Sequence, residues 1–132
     1  MSNKYKIAVL SGDGIGPEVT AESVKVLNVI GQAFNIEFNF EYAKMGAEAI
    51  FETGNPLPEE TLAVCKSADA VLFGAIGDPY FDNNPDAKVR PEQGLLKLRK
   101  ELGLFANIRP IKTYHSLTKK SPLKKEVVDG TD

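Results

Sequence analysis

Cysteine and histidine are scarce in this sequence: 132 residues include one of each, Cys65 and His115. A single cysteine excludes an internal disulfide, and the usual Cys/His spacings of zinc sites are missing. Cys65 lies in the apolar-periodic stretch TLAVCKSADAV, which predicts a buried, inert thiol in a protein of a reducing compartment. His115 lies in the polar turn YHSLTKK and is predicted to be a solvated loop residue. The sequence also lacks a nucleophile elbow.

Long apolar runs and an excess of one charge are absent as well. The N-terminal stretch MSNKYKIAVL holds only a four-residue apolar run, too short for the core of a signal peptide or for a membrane span. We therefore expect a cytoplasmic protein without a membrane partner. Sixteen Lys and Arg against 18 Asp and Glu give a net charge of −2, which offers no electrostatic footprint for nucleic acid. The predicted partner is a small molecule.

Apolar periodicity predicts alternating strands and helices. Lys6–Leu10 is predicted to be a buried strand, and a helix is predicted to begin near Pro17 with apolar positions at Val19, Val24, Leu27 and Ile30. The next predicted elements are a strand at 36–42, helices at 46–52 and 58–67, and a strand within 68–77. This order indicates an α/β fold with a mostly parallel sheet covered by helices. Ligands of such folds bind where loops leave the carboxyl ends of strands.

The second half of the chain starts with a long loop rich in proline and asparagine, GDPYFDNNPDAKVRP. Pro91 then opens a predicted helix in the stretch RPEQGLLKLRK. Alternating apolar residues at Leu104, Ala106 and Ile108 predict a strand that leads away from the first domain. Ser121, which precedes a proline, is predicted to cap a short helix in SPLKKEVV.

The glycine-rich stretch GDGIG follows the first predicted strand, as a dinucleotide-binding loop would. Its spacing is G-x-G-x-G, however, whereas the Rossmann fingerprint is G-x-G-x-x-G. A tight strand-to-helix turn without a ligand is at least as good an interpretation of these residues.

The predicted helix from Pro91 places Glu92, Leu95, Leu96 and Arg99 on one face. The plainest interpretation is an amphipathic helix with its leucines in the core. Arg99 and Arg109 are ten residues apart, so a helix-to-strand hairpin would bring their guanidinium groups together. Two such groups in one pocket suit a substrate with two carboxylates, and the alternative is a pair of surface salt bridges.

Five features occur in order along the chain: SGDGIGPEV, FGAIGDP, the long loop, RPEQGLLKLRK and LFANIRP. In this order and at these spacings they resemble the amino-terminal part of the isocitrate/isopropylmalate family of β-decarboxylating dehydrogenases. The members of that family are not Rossmann proteins. The resemblance implies a homodimer that oxidises a 2-hydroxy acid at C2 with NAD, assisted by Mg²⁺ or Mn²⁺ as a Lewis acid, and then releases the C3 carboxylate as CO₂.

The resemblance also implies roles for single residues. Arg99 and Arg109 correspond to arginines that hold the malate carboxylates, and Leu95 and Leu96 to the wall that receives the isopropyl group of 3-isopropylmalate. The residues implied near the nicotinamide half of NAD are Ile15, Gly77, Asp78, Pro79, Pro91 and Glu92. Isocitrate dehydrogenases carry a small hydroxyl residue near this wall for a third carboxylate, which two leucines would not bind. The implied product is 4-methyl-2-oxopentanoate, in leucine biosynthesis.

Members of the family are more than twice as long as this chain and take their catalytic tyrosine and lysine and their metal-binding aspartates from the missing part. We therefore expect a truncated chain with no catalytic residue and no metal ligand of its own. Residues 1–103 are expected to form the amino-terminal part of the first, cofactor-side domain, and 104–132 the start of the second. Two alternatives stay open: a tartrate- or homoisocitrate-type relative, and a non-catalytic α/β module that binds small anions.

Overall fold

A computed structural model of the chain describes residues 3–128 and 130. The strands are β1 (Asn3–Gly12), β2 (Ile36–Tyr42) and β3 (Ala70–Ala75). The α-helices are α1 (Gly16–Phe34), α2 (Ala47–Thr53), α3 (Glu59–Ser67), α4 (Pro79–Asp82), α5 (Pro91–Glu101) and α6 (Lys125–Val128), and a 3₁₀ helix covers His115–Lys120. The predicted order of strands and helices up to β3 is therefore confirmed, as is the helix that begins at Pro91.

The three strands form a parallel sheet in the order β2-β1-β3. The β1–β2 register pairs Asn3 with Ile36, and the β1–β3 register pairs Gly12 with Ala75. All three carboxyl ends therefore lie at one edge of the sheet. This edge carries both glycine-rich loops, the one after β1 and the one after β3.

The central strand β1 is buried on both faces, because Ile7, Ala8, Val9 and Leu10 are each at most 7% exposed. Alternate side chains of a strand point to opposite faces. Ala8 and Leu10 pack on one face with the main core cluster of Met45, Leu57, Leu62, Cys65 and Leu98. The opposite face of β1 is covered by α1, which contacts all three strands. The sheet is thus a middle layer between helices, as the α/β prediction required.

The surface of α1 that approaches the sheet differs from the predicted one. Thr20 is buried and Val24 is half-buried, whereas Val19 is 44% exposed and Ile30 is 36% exposed. The Thr20 hydroxyl donates to the backbone oxygen of Gly16 at 2.8 Å, which satisfies the polar group inside the helix packing. A polar residue that bonds its own helix therefore occupies a position that a purely apolar pattern does not find.

The predicted strand from Leu104 is wrong, because residues 104–114 adopt no regular secondary structure. A strand needs a neighbour to satisfy its backbone groups, and the sheet in the described residues contains only β1, β2 and β3. The short helix near the C-terminus is confirmed, but it begins at Lys125. The Ser121 hydroxyl instead accepts the backbone N–H of Leu123 at 3.1 Å, so it closes the turn that precedes this helix.

Candidate functional site

The loop after β1 is held against the end of β3. The Asp13 N–H donates to the backbone oxygen of Ala75 at 2.8 Å. A Cβ atom at Gly12 would lie 1.9 Å from that same oxygen, so only glycine permits this approach of the two backbones. The glycine in this loop is thus explained by chain packing. This favours the strand-to-helix turn over the dinucleotide fingerprint.

Asp13 joins three segments at this edge of the sheet. Its side chain is buried, with a relative exposure of 5%. One carboxylate oxygen, Oδ1, accepts the N–H of Ala47 at 2.7 Å, and Oδ2 accepts the N–H of Gly77 at 3.0 Å. Asp13 therefore connects the first glycine loop, the start of α2 and the loop after β3. Sequence reasoning missed this role, although an acidic residue between two glycines after a buried strand was the available signal.

The residues assigned to the cofactor by resemblance fall at one end of the sheet. Gly77, Asp78 and Pro79 form a continuous turn after β3, and the Asp78 side chain accepts the Tyr80 N–H at 2.8 Å to cap the one-turn helix α4. A Cβ atom added at Gly77 would lie 3.3 Å from Glu92 Oε1, so the start of α5 lies directly against this turn.

Two other residues of the cofactor assignment differ in accessibility. Ile15 is 58% exposed at the start of α1, two residues beyond Asp13. Pro91 is fully buried at the start of α5. It therefore supports Glu92 through packing and does not present a surface to a ligand. The accessible members of the set are Ile15, Gly77, Asp78, Pro79 and Glu92.

The loop after β3 is also anchored by aromatic side chains. The rings of Phe51 in α2 and of Tyr80 and Phe81 in α4 contact one another in a triangle. The ring centroid of Phe51 lies 5.5 Å from that of Tyr80 and 5.4 Å from that of Phe81, and Tyr80 and Phe81 are 5.1 Å apart. Edge-on and tilted pairs at such distances stabilise a fold beyond the area that they bury. Helix α2 therefore fixes α4 through these rings as well as through its link to Asp13.

The four residues predicted to share one face of α5 differ in their exposure. Leu95 is half-buried against the core cluster, whereas Leu96 is 64% exposed. Glu92 and Arg99 are exposed, so the accessible surface consists of Glu92, Leu96 and Arg99. The side of α5 that enters the core carries Pro91, Gly94 and Leu98. A Cβ atom at Gly94 would lie 2.7 Å from the backbone oxygen of Pro56, which explains a glycine inside a helix.

The structure does not bring Arg99 and Arg109 into one pocket. Arg99 lines a groove of about 290 Å³ with the segment from Leu104 to Ile108. The Leu104 N–H donates to the backbone oxygen of Arg99 at 3.0 Å, which turns the chain back along the end of α5. Arg109 is exposed just beyond this groove and is not among its lining residues. The predicted hairpin does not form because its strand is absent.

Cys65 is a core residue, as predicted. It is 3% exposed and packs in the main cluster, and burial raises the pKa of its thiol. His115 is exposed, also as predicted, and it lies at the start of the 3₁₀ helix.

We expect the Cys65 thiol to react with Ellman's reagent at pH 7.5 at least about tenfold more slowly in the native protein than in urea. The reason is that the side chain is buried and that its raised pKa disfavours the reactive thiolate form. Peptide mapping after alkylation identifies the cysteine that has reacted. Rapid labelling of Cys65 without denaturant would show that this core opens readily.

Two further findings concern metals and membranes. Within residues 3–128 and 130, no group of three or more His, Cys, Asp or Glu side chains is placed to hold a metal ion. In the same part of the chain, no helix has both the length and the apolar character that a membrane crossing requires.

The structure is a three-layer α/β unit. Glycine-rich loops lie at the carboxyl ends of its strands, and the arginine-bearing helix α5 lies beside them. The sequence profile of the isocitrate/isopropylmalate dehydrogenase family matches residues 6–132, and the chain belongs to that family. It is 60% identical over 128 residues to the 3-isopropylmalate dehydrogenase of Bacteroides fragilis, covering 97% of this chain and 36% of that protein. The enzyme of the same name from Aquifex aeolicus is 57% identical over 129 residues, covering 98% of this chain and 35% of that protein.

Solved structures agree with this assignment. A β-decarboxylating dehydrogenase from Thermococcus kodakarensis, in its apo form, superposes with a TM-score of 0.59 at 42% identity, over 76% of this chain and 27% of that one. Isocitrate dehydrogenase from Methylococcus capsulatus gives a TM-score of 0.60 at 27% identity, over 76% of this chain and 26% of that one. The chain thus spans about a third of the length of the curated relatives that it matches.

Proposed function

We propose that the protein carrying this chain oxidises and decarboxylates 3-isopropylmalate with NAD, in leucine biosynthesis. The observation that carries the proposal is the accessible surface of α5, where an exposed leucine, Leu96, stands between Glu92 and Arg99 along one face of the helix. The high identity to enzymes named 3-isopropylmalate dehydrogenase supports it. Leu96 can contact an alkyl group of the substrate. A third substrate carboxylate in the position of that alkyl group would lose its hydration without gaining a hydrogen-bond or ion-pair partner.

Each residue of this surface has a separate task in the proposal. Arg99 donates two N–H groups to a malate carboxylate, which its planar fork matches. Leu96 contacts the isopropyl group, and Leu95 supports it from the core. Arg109 lies outside the groove of Arg99 in this chain. Its assignment as a second carboxylate ligand therefore requires the segment after Ile108 to move toward α5 when substrate binds.

The residues present at the sheet edge fit the nicotinamide half of NAD. Ile15 and Pro79 offer accessible apolar contacts, and the turn at Gly77 has no side chain to obstruct an approaching ring. The exposed carboxylate of Glu92 can accept hydrogen bonds from ribose hydroxyls. When bound, NAD accepts the hydride from C2 of the substrate. The balanced reaction converts 3-isopropylmalate and NAD⁺ to 4-methyl-2-oxopentanoate, CO₂ and NADH.

The divalent metal of the proposed reaction does not fit the described residues, which lack a suitable cluster of ligands. We propose that Mg²⁺ or Mn²⁺ is bound by residues outside this chain, together with the catalytic acid and base. In the same proposal, residues 1–103 belong to the cofactor-side domain and 104–132 begin the second. A cytoplasmic homodimer is the expected form of the whole protein.

The proposal is tested by incubating the intact protein with 3-isopropylmalate, NAD and Mg²⁺. We expect NADH, measured at 340 nm, and CO₂ to form in equal amounts. Turnover of tartrate or homoisocitrate in place of 3-isopropylmalate would assign the protein to another branch of the family. Anion binding without any NADH would favour a non-catalytic module.

Shortening Leu96 to alanine is expected to lower kcat/KM for 3-isopropylmalate by roughly 10- to 200-fold while sparing malate, which has no alkyl group to place there. Steady-state kinetics with both substrates measure the change in discrimination. Because Leu96 is exposed, we expect the free energy of unfolding to stay within about 0.5 kcal/mol of the wild-type value.

Leu95→Ala is the matched comparison, since Leu95 packs against the core. This variant is expected to lose about 2 kcal/mol of stability, at the lower end of the range for buried leucines. An equal loss of activity on 3-isopropylmalate and malate in the Leu96 variant would show that Leu96 does not meet the substrate's side chain.

A further inference from the structure

Arg90 closes the loop between α4 and α5 with its side chain. Its Nη1 donates to the backbone oxygen of Phe81 at 2.8 Å, and its Nη2 donates to the backbone oxygen of Asn84 at 3.0 Å. Phe81 lies in the last turn of α4 and Asn84 lies two residues beyond it. Each carbonyl oxygen also accepts a backbone N–H, that of Asn84 at 3.3 Å and that of Ala87 at 3.2 Å respectively, so the guanidinium adds a further donor to each. Among the described residues, no carboxylate forms an ion pair with Arg90. The guanidinium therefore serves two neutral carbonyls.

The backbone of Arg90 is fixed to the other helix. Its N–H donates to Gln93 Oε1 at 3.1 Å, and its carbonyl oxygen accepts the Gln93 N–H at 3.1 Å. These two bonds make Arg90 the N-terminal cap of α5. One residue thus binds the end of α4 through its side chain and the start of α5 through its main chain.

The two segments that Arg90 connects carry two of the three parts of the candidate cofactor site, the third being Ile15 at the start of α1. The backbone oxygen of Asp78 accepts the N–H of Phe81 at 2.9 Å. The hydrogen bond from Arg90 to Phe81 therefore also restrains the turn at Gly77 and Asp78, which lies within one helical turn of Phe81.

Glu92 follows Arg90 by two residues. The guanidinium therefore links that turn to the start of α5, in addition to the bond of Asp13 to the Gly77 N–H and the ring contacts of Phe51 with α4.

We propose that Arg90 is a positioning residue for the cofactor, which holds the turn Gly77–Pro79 at its distance from Glu92. The inference rests on the proposed use of NAD. Lysine in place of Arg90 keeps the positive charge, but one ammonium group does not supply two N–H donors in the fixed planar geometry of a guanidinium. Both Arg90→Lys and Arg90→Gln should therefore loosen the turn and weaken NAD binding.

The test measures NAD binding to the intact protein by titration calorimetry, in the absence of substrate, for the wild type, Arg90→Lys, Arg90→Gln and Lys88→Gln. Lys88 is an exposed cation of the same loop and serves as the control. We expect Kd for NAD to rise about tenfold or more in both Arg90 variants, because NAD binding must then order a turn that the two hydrogen bonds no longer hold. The Lys88 variant should bind NAD as the wild type does.

Two further measurements separate positioning from general stability. Amide hydrogen exchange of peptides covering 77–90 should be faster in both Arg90 variants, while Tm and KM for 3-isopropylmalate remain close to wild-type values. Unchanged Kd for NAD in a folded Arg90→Lys variant would overturn the inference, as would a parallel loss of NAD affinity, substrate affinity and Tm. If the wild-type protein itself does not bind NAD, the proposed function fails, and this inference fails with it.

Discussion

Replacing Arg99 with lysine in the intact protein is expected to lower kcat/KM for 3-isopropylmalate by about 30-fold to several thousandfold, the equivalent of about 2–5 kcal/mol for disrupting one partner of a desolvated charge pair. The loss exceeds what charge conservation suggests, because an ammonium group does not reproduce two parallel N–H···O bonds to a carboxylate. Steady-state kinetics with varied substrate at saturating NAD measure it.

Lys100→Ala is the control for this prediction, since Lys100 is the next cation of α5 and is exposed without a part in the proposed surface. It should leave kcat/KM unchanged. If Arg99→Lys retained kcat/KM within a factor of two, Arg99 would be an ordinary surface residue and not a carboxylate ligand.

Replacing Asp13 with alanine is expected to lower the free energy of unfolding by about 2–6 kcal/mol, at about 1–3 kcal/mol for each N–H left without its acceptor. The two donors are the backbone N–H groups of Ala47 and Gly77, which the buried carboxylate now accepts. Asp13→Asn keeps one acceptor oxygen and should lose about half as much. Urea denaturation followed by circular dichroism measures the three proteins side by side.

The matched control is Asp86→Ala, which removes an exposed carboxylate from the loop before α5. A surface substitution of this kind should change stability by less than about 0.5 kcal/mol. Equal effects at Asp13 and Asp86 would mean that overall charge, and not the two hydrogen bonds, sets the stability of this sheet edge.

The strands and helices up to β3, and helix α5, follow from local sequence, whereas the one-turn helix α4 lies in a stretch predicted to be a loop. The run IAVL is apolar at every position because β1 is covered on both faces. Pro91 marks the start of α5 because proline suits the first turn of a helix. Such signals depend only on neighbours within a few residues, so the local sequence is sufficient to carry them.

Long-range contacts explain what the sequence did not reveal. The bonds of Asp13 reach Ala47 and Gly77, which are 34 and 64 residues away in the chain. Helical spacing placed Leu95 and Leu96 on one face, yet the core that packs against α5 buries only Leu95 substantially. The segment from Leu104 alternates like a strand, but strand formation depends on a partner that the pattern itself does not contain.

The central claim is that the surface of Glu92, Leu96 and Arg99 selects a malate with an alkyl substituent. The most direct measurement is the ratio of kcat/KM for 3-isopropylmalate to kcat/KM for isocitrate, determined for the intact wild-type protein with NAD and Mg²⁺. Burial of the isopropyl group against leucine contributes about 2 kcal/mol, and an unpaired carboxylate in the same place costs more. The account predicts a ratio above about 100. A ratio below one would contradict it.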